Sequence, residues 1–110
     1  MGYPVIKAVR VGSRAPKRLD RYPADALLFD TAARNVYGGT GRSFDWSLLN
    51  GYRTEKPVFI SGGLHPGNVR LLLKKFRPYG VDVSSGVEKT PGKKDHQLVR
   101  EFIKNVKTYR

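Results

Sequence analysis

Twice in this sequence an apolar run breaks off into small and hydroxylated residues and is then followed by an amphipathic stretch. This repeated unit restricts the fold more than any other feature. In the first copy, Pro57-Val58-Phe59-Ile60 stops at Ser61-Gly62-Gly63-Leu64-His65-Pro66. Val69, Leu72, Leu73 and Phe76 follow at i, i+3, i+4 and i+7, the apolar stripe of a helix, and Arg77-Pro78 with Gly80 should end it. In the second copy, Val81 and Val83 suit a short buried strand that stops at Ser84-Ser85-Gly86. Asp95 can cap a last helix in which Leu98, Val99, Phe102, Ile103 and Val106 make the stripe.

Two weaker units precede these. Residues 3–11 carry β-branched Val5, Ile6, Val9 and Val11 and read as a strand, while residues 15–22 allow only a short helix built on Leu19 and Tyr22. Ala26-Leu27-Leu28-Phe29 is continuously apolar, as in a parallel strand covered on both faces, and it ends at Asp30-Thr31. Residues 32–41, with Gly38-Gly39-Thr40-Gly41, read as a mobile loop. Ser43 could cap a short helix over 44–52, with Trp46 and Leu49 on one face as packing residues. Four βα units in succession call for parallel strands, an α/β fold. A closed (β/α)₈ TIM barrel has eight such units and typically about 250 residues. These 110 residues are therefore expected to form a single half-barrel domain, with open sheet edges and an uncovered lining face.

The loops at the strand ends carry the chemistry. Gly62 and Gly63 in one, and Ser84, Ser85 and Gly86 in the other, let backbone N–H groups and hydroxyls approach an anion with no bulky side chain in the way. In (β/α)₈ barrels the loops after the last two strands commonly hold a phosphate. Asp30, at a strand's C-terminal end, stands where barrel enzymes place catalytic groups.

Composition narrows the remaining possibilities. There is no cysteine, hence no disulfide, thiolate metal site or cysteine nucleophile, which suits a cytoplasmic protein. No apolar run approaches the roughly 20 residues of a membrane span, and Met1-Gly2-Tyr3-Pro4 does not begin a signal segment. A net charge of +12 favours acidic partners and makes a basic nucleic-acid-binding module the competing reading. Against it, the basic residues are dispersed. Their densest clusters, Arg14-Lys17-Arg18-Arg21 and Lys89-Lys93-Lys94, fall in expected loops or on solvated faces. No aromatic residues interleave with them as a stacking platform.

Several motifs in order then carry a specific resemblance. Asp30-Thr31, the run from Tyr37 through Gly38-Gly39-Thr40-Gly41 to Trp46, Ser61-Gly62-Gly63-Leu64-His65-Pro66-Gly67-Asn68-Val69, Gly80 through Glu88, and Pro91-Gly92-Lys93-Lys94-Asp95 closely resemble the C-terminal half of the phosphoribosylanthranilate isomerase family. Val5-Ile6-Lys7-Ala8-Val9 resembles the family's fifth strand and the last helix its eighth. The sequence thus begins just before a strand in mid-barrel, and a boundary cut through a domain is expected there.

The family is a (β/α)₈ barrel of tryptophan biosynthesis. It carries out the Amadori rearrangement of N-(5'-phosphoribosyl)anthranilate to carboxyphenylamino-deoxyribulose phosphate, with neither metal nor organic cofactor. A general acid protonates the furanose ring oxygen and a general base removes the C2' proton. The resemblance implies that Asp30 is the acid and that Gly62, Gly63, Ser84, Ser85 and Gly86 hold the phosphate. It also implies that Asp82 bonds substrate, although a bond to a neighbouring loop is open to it. His65 and His96 match no catalytic element and are expected at the surface or in caps.

Two family elements do not occur here: the cysteine base in the first strand's Lys-Ile-Cys-Gly type motif, and an arginine from the N-terminal half that binds the anthranilate carboxylate. Little turnover is therefore expected without a complementary N-terminal half. A further alternative is a half-barrel that self-associates through its lining and binds phosphate without catalysis.

Overall fold

The apolar runs become strands and the striped segments become helices. The structure, a computed structural model, describes residues 2–12, 17–31 and 46–109. The glycine-rich loop expected at 32–41, the capping Ser43 and the first residues of the helices expected at 15–22 and 44–52 lie outside them. Strands β1 (Ile6–Arg10), β2 (Ala26–Asp30), β3 (Val58–Ser61) and β4 (Gly80–Val81) form a four-stranded sheet in sequence order. Every neighbouring pair is parallel, as the βα alternation requires. Helix α1 (Val69–Lys75) joins β3 to β4, and α2 (His96–Lys107) ends the chain. Among the described residues no helix is long and apolar enough to cross a membrane.

The period of two along each strand sorts the side chains. Register places Leu27 beside Val58 and Phe29 beside Ile60, and all four are buried. They join Leu19, Trp46 and Leu49 with Val69 and Leu72 of α1 and Phe102 of α2 in one core. Burying each large side chain contributes about 1.5–3 kcal/mol. The alternate positions form rows on the other face: Ala8, Leu28, Phe59 and Gly80, then Arg10, Asp30 and Ser61 nearer the strand ends. That face is less covered. Leu28 and Phe59 are only half-buried, and Ile6 of β1 is 56% exposed.

Several expectations are adjusted. The helix expected over 15–22 is only a 3₁₀ turn at Leu19–Arg21, because Arg18 before it adopts a left-handed backbone (φ 54°) that no right-handed helix can include. The segment expected at 44–52 is 3₁₀ over Trp46–Gly51, where Asn50-Gly51 favours no α-helix. Strand β1 is shorter than residues 3–11, and Val83 lies beyond β4 because the chain turns off the sheet after Asp82. Lys89, Lys93 and Lys94 belong to an antiparallel hairpin, β5 (Glu88–Thr90) and β6 (Lys93–Lys94), turned at Pro91-Gly92 with Gly92 at φ 81°. Ile103 leaves the expected stripe and is 49% exposed, since Leu98, Val99, Phe102 and Val106 suffice to cover the core. The Asp95 cap of α2 is as expected, whereas α1 stops one residue before the last position of its expected stripe, Phe76. Asp95 Oδ1 accepts from the N–H groups of Gln97 (2.9 Å) and Leu98 (3.2 Å), and α1 gives way to extended Phe76 ahead of Pro78.

Candidate functional site

β3 and β4 are adjacent and parallel, so both of their following loops emerge at the same end of the sheet. The pairing continues one residue past β4, with the Asp82 N–H donating to the Ile60 carbonyl at 2.9 Å. In the first loop Gly62 and Gly63 take φ of 100° and 68°, a left-handed region open to glycine at little cost. The buried side chain of Thr31 donates to the carbonyls of Ser61 (2.8 Å) and Gly62 (3.1 Å). Asn68 Nδ2 donates to the Gly63 carbonyl at 2.8 Å, while its Oδ1 accepts from the His65 N–H at 2.9 Å. Three consecutive carbonyls are thereby tied back to the protein. In planar trans peptides each following N–H then points the opposite way. A loop that has turned its acceptors aside in this manner suits an anion.

The second loop packs directly on the first. A Cβ on Gly86 would lie 1.7 Å from the Leu64 carbonyl oxygen, so only glycine permits the two backbones to touch. Ser85–Val87 form a 3₁₀ turn, and between the loops opens a cleft of about 220 Å³. Gly62, Gly63, Asp82, Ser84, Ser85 and Gly86, six of the seven site residues expected from sequence, line it. The seventh, Asp30, ends β2 as the register partner of Ser61 and stands one strand over, about 4.8 Å in backbone spacing.

A family model described as N-(5'phosphoribosyl)anthranilate (PRA) isomerase matches residues 1–105. The chain belongs to the phosphoribosylanthranilate isomerase family. It is 47% identical over 107 residues to the N-(5'-phosphoribosyl)anthranilate isomerase of Magnetococcus marinus, a match that covers 96% of this chain and 51% of that protein. The crystal structure of phosphoribosyl anthranilate isomerase from Thermotoga maritima superposes with a TM-score of 0.76 at 47% identity, covering 94% of this chain and 51% of that one. A crystal structure of the enzyme in complex with reduced 1-(o-carboxyphenylamino)-1-deoxyribulose 5-phosphate matches with a TM-score of 0.71 at 42% identity, covering 94% and 48%. The chain spans about half the length of the relatives it matches.

Within this isomerase family context, three residues close to the cleft escaped the sequence reading. Thr31 and Asn68 hold the first loop, and Lys94 holds the second, its Nζ donating to the Ser84 carbonyl at 2.9 Å. Asn68 stands three residues after His65, a spacing that signals side-chain capping of a turn. Lys94 also pairs with Glu88 at 2.8 Å, and this hydrogen bond holds the Glu88 carboxyl below its ordinary value. His65 is a turn-capping residue, its Nδ1 accepting from the Gly67 N–H at 3.0 Å, and His96 is exposed at the start of α2. Among the described residues, no three His, Cys, Asp or Glu side chains gather as a metal site would require.

Proposed function

We propose that residues 1–110 are a single half-barrel unit that supplies the phosphate grip and the general acid of a phosphoribosylanthranilate isomerase. The observation that carries this reading is the cleft between the two strand-end loops, one strand away from Asp30, in a chain of this family. The substrate phosphate sits between the loops, held by N–H groups about Gly62, Gly63, Ser85 and Gly86 and by the hydroxyls of Ser84 and Ser85. Asp82, on the cleft wall, bonds substrate hydroxyls. With the phosphate fixed at β3 and β4, the ribose extends along the strand ends toward β2. There Asp30 protonates the furanose ring oxygen, and the C1'–O bond breaks to give an open-chain iminium. A base then takes the C2' proton, leaving the enol of the ketose product. Proton transfer by a placed side chain is typically worth about 10²- to 10⁴-fold.

The base is a cysteine in the family resemblance, and these 110 residues have none. The proposal therefore assigns the base, and the arginine for the anthranilate carboxylate, to polypeptide outside them. Two features support a complementary half. β1 and β4 are sheet edges among the described residues, and a groove of about 250 Å³ runs beside β4, lined by Leu73, Tyr79, Val81 and Val106. A following strand paired with β4 would fill it.

The test is calorimetric titration of the protein, completed by an N-terminal half, with reduced 1-(o-carboxyphenylamino)-1-deoxyribulose 5-phosphate. Binding that inorganic phosphate displaces competitively is expected. Binding indifferent to phosphate would remove the cleft from the account.

A further inference from the structure

We propose that Lys94 is a positioning residue of the phosphate cradle, locking the peptide plane between Ser84 and Ser85. The inference rests on the cleft being the phosphate site and deepens that reading. An ammonium group has three N–H donors. Those of Lys94 meet three acceptors: the Ser84 carbonyl at 2.9 Å, the Ser84 Oγ at 3.3 Å and Glu88 Oε2 at 2.8 Å. With all three protons engaged, Lys94 acts on a ligand through Ser84 rather than by touching it. The same carbonyl accepts from the Val87 N–H at 3.3 Å, so it is held from two directions. In a planar trans peptide the Ser85 N–H then points away from Lys94. The tripod thus fixes the direction of one donor of the cradle, which requires no reorganisation when the anion arrives.

Lys94 lies ten residues beyond Ser84 and reaches back only because the hairpin turns at Pro91-Gly92. Glu88, on the facing strand, holds the ammonium from the other side. The hairpin thereby becomes a bracket for the second loop. The first loop has its own bracket in Thr31 and Asn68.

The experiment compares the wild type with Lys94→Met and Lys94→Arg, using inorganic phosphate as the probe. The amide resonances of Gly62, Gly63, Ser85 and Gly86 are followed in labelled protein completed by its N-terminal half. Loss of a charge-assisted hydrogen bond at a half-exposed site should weaken phosphate by about 5- to 20-fold in Lys94→Met. At saturation the phosphate-induced shift of Ser85 should shrink while those of Gly62 and Gly63 persist, whereas general destabilisation would diminish all of them alike. Lys94→Arg keeps the charge but replaces the tripod with a planar fork, so it too should bind phosphate more weakly than wild type.

KM for the isomerase substrate should rise with phosphate Kd, and kcat should change less. A Lys94→Arg protein with wild-type affinity would reduce the role to bare charge and overturn the proposal. So would an unaltered Ser85 response in Lys94→Met. Phosphate binding without turnover in the wild type would reject the isomerase reading alone, while no phosphate binding at all would reject both.

Discussion

At the scale of single residues, the cleft depends on small contacts that admit no substitute. Gly86→Ala should destabilise the protein by about 1–3 kcal/mol, because the methyl group meets the Leu64 carbonyl oxygen, a backbone atom that has no rotamer to retreat to. Urea denaturation measures the loss, and phosphate affinity should fall with it. A neutral substitution would mean that the loops do not touch. Thr31→Val keeps the shape and removes the hydroxyl that bonds the Ser61 and Gly62 carbonyls, so a loss of about 1–2 kcal/mol is expected. That Gly62, Gly63, Ser84, Ser85 and Gly86 lie in the two strand-end loops lining the cleft was legible in the sequence, because small residues after an apolar strand leave a strong local signal. Thr31 and Lys94 were not, because their significance lies in partners 30 and 10 residues distant that no local pattern announces.

At the scale of elements, the long apolar segments were readable and the short polar ones were not. The strand ending at Asp30 is an unbroken apolar run, and the stripes of α1 and α2 carry enough periodic residues to identify them. The hairpin strands have only three and two residues, too few for alternation to register, although Pro91-Gly92 is an adequate turn signal. The capping of α2 makes a direct test. Asp95→Ala removes the acceptor for two N–H groups and should cost about 1 kcal/mol, measured by thermal or urea unfolding.

The hairpin makes another test, through pH. The hydrogen bond from Lys94 lowers the Glu88 pKa from 4.5, so the folded carboxyl loses its proton more readily than the unfolded one. The tether is therefore complete above pH 4.5 and is lost as pH falls through the lowered folded value. Amide shifts of Ser84 and Ser85 should report that acid transition, and Glu88→Gln should abolish it.

At the scale of the whole molecule, the sheet has one well-packed face and one that is only partly covered. Leu27, Phe29, Val58 and Ile60 are buried beneath the helices, while Ile6 and Tyr79 remain exposed at opposite edges. Arg70, Lys74 and Lys75 of α1 and Arg100, Lys104 and Lys107 of α2 lie exposed on the helices, so much of the +12 charge is solvated. Leu28 and Phe59, register partners on the second face, are only half-buried, and in the proposed half-barrel this row would belong to the barrel lining.

Whether Asp30 and the phosphate cleft serve one isomerase site, as proposed, is decided by a single assay. Loss of phosphoribosylanthranilate fluorescence is followed with this chain, purified from a host lacking the isomerase, mixed with an N-terminal half that carries the cysteine. Turnover is expected to require both polypeptides and to fall about 10²- to 10⁴-fold with Asp30→Ala. Enzyme-like turnover from this chain alone, or turnover in the mixture that survives Asp30→Ala, would contradict the proposal.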